Sequence, residues 1–153
     1  MKIIDLLEPN AVIPNMAATT KLAVLEELAA PLVPGPEGLD LDTVVEVLME
    51  RERLGSTGIG DHVAIPHGKL ANLKGLRLSF GRSLQGVNFD SMDGKPSHLF
   101  FLLLAPVNSA GLHLKALAKI SRMLMNAAFR EKLMQAADKY EIYQLLKEQD
   151  EEM

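Results

Sequence analysis

Apolar residues recur along this chain with two different periods, and the changes of period mark its elements. From Thr19 or Thr20 to about Ala30, Leu22, Leu25, Leu28 and Ala29 fall at helical spacing behind a threonine that can cap the first free N–H groups. A second helix is expected from Asp40 or Asp42, with Val44, Val47, Leu48 and Met49 as its apolar stripe and Gly55 as a left-handed stop. "GIGDHVAIPH" reads as a strand. "LRLSFG" sets Leu76, Leu78 and Phe80 against Arg77, Ser79 and Gly81, the period-two pattern of a half-buried strand. "SMDGKPS" carries turn residues. "HLFFLLLA" is apolar without interruption, which suits a strand covered on both faces. A long helix is expected from about Ala110, with Leu114, Leu117, Ala118, Ser121 and Leu124 on one face, and shorter helical patterns lie near residues 128–137 and 139–148. Strands alternating with helices, one strand buried on both faces, predict an α/β domain with helices packed on each side of a sheet.

Length and composition narrow this further. A chain of 153 residues suits one domain, residues 1–153, with one core. "PLVPGPEG", with three prolines and two glycines in eight positions, reads as an internal loop and not as a boundary. The acidic end "EQDEE", residues 148–152, reads as a solvated tail, with fraying expected over 146–153. No apolar run approaches the roughly 18 residues that cross a bilayer, and the N-terminus lacks the pattern of a secretory signal, so a cytoplasmic protein is expected. The absence of cysteine excludes thiol catalysis and thiolate metal sites. A net charge of −4 with no basic cluster argues against nucleic-acid binding.

The chemistry concentrates at "PHG". Pro66 fixes its own φ and biases Ile65 toward extended geometry, so His67 leaves the strand at a set angle. Gly68 has no β-carbon, which leaves room beside the ring and lets its N–H approach a ligand. His67 thus reads as a nucleophile, a general base or a metal ligand, or as an ordinary polar strand end. Metal ligation is disfavoured: His62 and His67 are five apart, on opposite faces of an extended strand, and no helical histidine pair exists. His113 stands at the start of the long helix, where an anion would be favoured. Arg51 and Arg53 sit at the end of the second helix; arginine there either binds a phosphate or complements the helix dipole. His98 reads as structural or solvated.

Residues 51–70, "RERLGSTGIGDHVAIPHGKL", resemble the active-site segment of the type 2 EIIA domains of the bacterial phosphoenolpyruvate-dependent phosphotransferase system, the fructose–mannitol family. The likeness rests on Arg51-Glu52, on Ser56-Thr57-Gly58-Ile59-Gly60 and on Ala64-Ile65-Pro66-His67-Gly68, and extends over nearly the whole chain. It implies a single domain with a central mixed sheet of about five strands and helices on both faces. It implies phosphoryl transfer between histidines, with no metal and no cofactor, because the donor is already a phosphoramidate. His67 would be the nucleophile, through Nε2. Arg51 would stabilise the phosphoryl group, His113 would donate a hydrogen bond to it, and Asp61 would orient Arg51 or an imidazole. Pro66, Gly68, Ser56 and Thr57 would support the site. The implied donor is a small phosphocarrier of the HPr/NPr type. The implied acceptor is a regulatory protein target or an EIIB domain, with no nucleic acid and no membrane insertion. The wording of the motifs is nearest to the nitrogen-regulatory branch, and no EIIB-like or membrane segment is seen, so regulation is expected ahead of sugar transport; a non-catalytic binding module is the outside alternative. One position departs from the pattern: His62 stands where glycine is expected.

Overall fold

The continuously apolar stretch becomes the centre of the sheet. In the computed structural model, which describes the backbone of all 153 residues and every side chain except that of Ala110, Ser97–Pro106 is the last of six strands. In chain order the elements are β1 (Leu7–Ile13), α1 (Lys21–Ala29), α2 (Leu41–Arg53), β2 (Gly58–Gly60), β3 (Val63–Ala64), β4 (His67–Leu70), β5 (Arg77–Val87), β6 (Ser97–Pro106), α3 (Ala110–Met125), α4 (Ala127–Gln135) and α5 (Lys139–Glu151). Short 3-10 turns precede β1 and follow α1. The sheet order is β1-β5-β6-β3-β2, with β4 also on β6. β5 and β6 are antiparallel; β1 runs parallel to β5, and β3 and β4 run parallel to β6 along the same edge. The sheet is therefore mixed, as expected, with six strands where about five were anticipated.

Register assigns the two faces. Ser79 is opposite Leu102 and Phe80 opposite Phe101. Ser79 donates its hydroxyl hydrogen to Leu28 O at 2.7 Å, so its face meets α1. On that face a β-carbon at Gly81 would lie 3.0 Å from Leu28 Cδ2, and one at Gly68 would lie 2.9 Å from Val47 Cγ1 of α2. Phe80 and Phe101 pack edge-to-face at 5.1 Å on the other face, the one covered by α3, α4 and α5. Helices cover both sides. "LRLSFG" is consequently buried on both faces, not half-buried: the small residues Ser79 and Gly81 sit where a helix comes close.

Caps place two helices as the sequence implies. Thr20 Oγ1 accepts from Ala23 N–H at 3.2 Å, and Asp40 Oδ2 from Thr43 N–H at 3.0 Å. Other expectations are corrected. "GIGDHVAIPH" is not one strand. Asp61 and His62 have φ of +54° and +67° and form the turn of a β2–β3 hairpin; the chain then passes through Ile65 and Pro66 into β4. His67 opens a strand and does not end one. Leu22 is exposed, and Val24 takes its place in the core. In α3 the buried stripe is His113, Ala116, Ile120, Met123 and Leu124, while Leu114 is exposed. Gly55 has φ +150° and not the compact left-handed conformation. The C-terminal residues are helical through Glu151, and Asp150 is fully buried, pairing with Lys119 Nζ at 2.9 Å and accepting Ile4 N–H at 3.1 Å, so the expected frayed tail is held against the N-terminus. β1 carries no clear period-two signal and had no counterpart in the sequence reading.

Candidate active site

Three elements bring their ends to one place. β4 begins with His67 beside β6, α3 presents His113 in its first turn, and α2 carries Arg51 in its last turn. Together with Val47, Glu50, Leu54, Gly68 and Lys69, these residues line an open cleft of about 480 Å³. The His67 and His113 rings are 5.4 Å apart, tilted by 57°.

The tautomer of His67 follows from one hydrogen bond. Its Nδ1 lies 2.8 Å from Ile65 O. A carbonyl can only accept, so Nδ1 carries the hydrogen and the lone pair is left on Nε2. Burial lowers the pKa of this imidazole below its ordinary value of 6.5; the bond to Ile65 and the charge of Glu52 oppose the shift, and Arg51 and Lys69 reinforce it. His67 is thereby neutral at pH 7. His113 is 6% exposed, its Nδ1 buried without a hydrogen-bond partner among the described residues. Placing a hydrogen on that Nδ1 would bury an unpaired donor, so the neutral ring is favoured with its hydrogen on Nε2. Its pKa is also lowered, by burial first and then by His67 and Lys69. Two adjacent imidazoles are therefore held uncharged, one with an available lone pair and the other with an available N–H.

Behind the cleft lies a buried carboxylate. Glu52 accepts from Thr57 N–H at 3.2 Å and from the Thr57 hydroxyl, and pairs with Lys21 Nζ at 3.1 Å. Thr57 O in turn accepts Ile65 N–H at 3.0 Å, and Ile65 O accepts His67 Nδ1–H. A continuous path of hydrogen bonds thus runs from the end of α2 to the His67 ring. Lys21 packs over the Phe89 ring at 4.8 Å, and the Ser56 hydroxyl donates to Phe89 O. Ser56 and Thr57 accordingly brace the segment from below and do not line the cleft. Pro66 accepts Leu103 N–H at 3.0 Å, keeping the chain on β6 through the step between β3 and β4. Gly68 has a packing role: its missing β-carbon faces Val47 of α2.

A model of the family described as the phosphoenolpyruvate-dependent sugar phosphotransferase system, EIIA 2, matches residues 5–149. The chain belongs to this family. Phosphoryl transfer is the general chemistry of EIIA proteins. This EIIA chain is 43% identical over 146 residues to a nitrogen regulatory protein of Bradyrhizobium diazoefficiens, covering 95% of each. It is 35% identical over 148 residues to a fructose-specific EIIA component of Haloferax volcanii, covering 97% of this chain and 91% of the other. Its fold superposes on the nitrogen regulatory protein IIA-Ntr of Neisseria meningitidis with a TM-score of 0.88 at 37% identity, over 94% of this chain and 98% of that one. No helix among the described residues is long and apolar enough to cross a membrane.

Not every expected site residue of this EIIA domain reaches the cleft. Asp61 lies at the hairpin turn, its N–H donating to Asp93 Oδ2 at 3.0 Å, and it lines a separate depression with His62, His98, Arg130, Glu131 and Met134. The turn explains the odd residue at 62: φ is +67°, a conformation that glycine adopts most easily. His62 Nδ1 donates to Pro96 O at 2.8 Å, and its ring meets His98 edge-on. Conversely, Lys69 lines the cleft and Glu52 supports it; Glu52 was marked only as part of the Arg51-Glu52 motif, and Lys69 was not singled out. Lys69 was signalled by its spacing, two residues beyond His67 on a strand and hence on the same face.

Proposed function

We propose that this EIIA domain is a histidine phosphocarrier that accepts a phosphoryl group on Nε2 of His67 from the phosphohistidine of an HPr/NPr-type carrier, and that its role is regulatory. The observation that carries this reading is the His67–Ile65 hydrogen bond: it leaves Nε2 unprotonated in a cleft that also contains Arg51 and His113. In the transfer, the Nε2 lone pair forms the new N–P bond while the carrier's N–P bond breaks, and that electron pair returns to the carrier imidazole. The hydrogen stays on Nδ1, donated to Ile65 O, throughout, so the reaction needs no general base. A loose phosphoryl transition state mainly requires alignment and compensating charge. The Arg51 guanidinium supplies charge, with Nη1 steadied by Gly55 O at 2.9 Å. His113 Nε2–H donates to a phosphoryl oxygen. The 43% identity to a nitrogen regulatory protein favours the regulatory role over sugar transport.

Incubation with phosphoenolpyruvate, enzyme I and HPr- or NPr-type carriers tests the transfer. Acid-labile phosphate on the wild type, absent from His67→Ala, is expected. A wild type without label defeats the phosphocarrier reading and leaves a binding module; a labelled His67→Ala defeats the site. Rapid onward transfer to a fructose- or mannitol-type EIIB would replace the regulatory role with sugar transport.

A further inference from the structure

We infer that Lys69 is a second cationic catalytic residue, whose ammonium binds the phosphoryl group on His67 from the side opposite the peptide carbonyl that holds the ring. This rests on the phosphocarrier reading above and deepens it. His67 and Lys69 alternate with Gly68 on β4, opposite Leu103 and Ala105 of β6, so both side chains leave the same face of the strand. Their Cα atoms are separated by roughly 6.6 Å, two strand residues, a gap that the four-carbon lysine stem spans. Lys69 lines the cleft with His67, His113 and Arg51.

Its position sets it apart: other exposed lysines are also unpaired among the described residues, but Lys69 is the one that lines this cleft. Lys21 is held by Glu52 and Asp90, Lys119 by Asp150, and Arg77 by Glu37. Lys69 has no carboxylate or hydrogen-bond partner among the described residues, and Glu50 is the only carboxylate lining the cleft. A phosphoryl group adds about two negative charges, and Arg51 supplies one positive charge. The remaining charge falls to Lys69. The two cations also differ in kind. Arg51 is tethered to Gly55 O, while Lys69 has a flexible stem and follows the group as it moves from the carrier to His67. In the empty cleft the same ammonium disfavours a charged His67 or His113, which keeps the nucleophile in its reactive form.

Rapid-quench transfer kinetics on wild type, Lys69→Met, Lys69→Arg and, as a control, Lys132→Met on the exposed side of α4 test this. Lys69→Met keeps the stem and removes the charge. We expect its transfer rate at saturating carrier to fall about tenfold or more, with Lys69→Arg recovering part of the loss and Lys132→Met matching wild type. A loss confined to KM, with the saturating rate intact, would mean that Lys69 only attracts the carrier, and overturns the phosphoryl contact. A Lys69→Met rate within twofold of wild type overturns it also. Inorganic phosphate, followed through the His67 ring resonances, gives a readout without any carrier: weaker binding to Lys69→Met is expected, and equal binding counts against the proposal. A wild type that takes no label from any carrier removes the parent reading and this one together; a labelled wild type with unaffected Lys69→Met removes only this one.

Discussion

The molecule contains two pairs of histidines with the same separation. The rings of His67 and His113 are 5.4 Å apart, and so are those of His62 and His98. In three of the four rings, His67, His62 and His98, Nδ1 donates to a backbone carbonyl. Only His113 differs, with its hydrogen on Nε2, and proximity alone does not distinguish the pairs. Their surroundings do. His67 and His113 come from a strand edge and a helix start packed on the core, with Arg51 and Lys69 beside them. His62 sits on an exposed hairpin turn, and the depression it lines sets one cation, Arg130, against the two carboxylates of Asp61 and Glu131. A phosphoryl group is favoured where cations outnumber carboxylates: Arg51 and Lys69 stand against Glu50 in the first cleft, Arg130 alone against Asp61 and Glu131 in the second.

The comparison is broken most directly by exchanging which pair is removed. His67→Ala should lower phosphorylation by at least about 1,000-fold, whereas His62→Gln should leave it unchanged, both measured as initial rates of label uptake. Equal losses would mean that the two pairs cooperate. Arg51→Ala should slow transfer about 100-fold with the circular dichroism spectrum unaltered, since it removes charge from an exposed helix end. Gly68→Ala sharpens the role of packing. Its β-carbon would lie 2.9 Å from Val47 Cγ1, so Val47 must turn or α2 must move away from β4. A destabilisation of about 1–3 kcal/mol in urea unfolding, with a slower transfer rate, is expected.

The pH dependence carries a definite sign. The pKa values of both cleft histidines are lowered in the folded state, so between those values and the ordinary 6.5 the unfolded chain binds more protons. Their contribution to stability is fully present above 6.5 and is lost as pH falls through the lowered values. His113→Gln should reduce this slope, as followed by denaturant midpoints between about pH 7 and 5. The smallest effect belongs to the other pair: His62→Gly relieves a left-handed residue and should raise stability by about 0.5 kcal/mol with transfer unaffected.

Much of this was legible in sequence where local rules and burial agree. β6 showed itself because it is covered on both faces, and α1 and α2 because Thr20 and Asp40 cap them. The hairpin at Asp61-His62 was hidden because neither residue is a glycine, although both adopt positive φ. The apolar stripe of α3 was misplaced because its inner face begins with a buried histidine, which any polarity scale places outside. The buried Asp150 depends on Lys119 and Ile4, far away in sequence, so the acidic end looked like a tail. Within the site, His67 and Arg51 were marked by motif, but the path through Glu52, Thr57 and Ile65 exists only once the β3–β4 step is folded.

The central claim is that a phosphoryl group resides on one nitrogen of one histidine, fixed by the carbonyl of Ile65. Heteronuclear NMR of the protein phosphorylated through enzyme I and its carrier resolves both residue and nitrogen. A single phosphohistidine, on Nε2 of His67 with Nδ1 still protonated, is the predicted result. Phosphorus on Nδ1, or on His113, His62 or His98, would contradict the account.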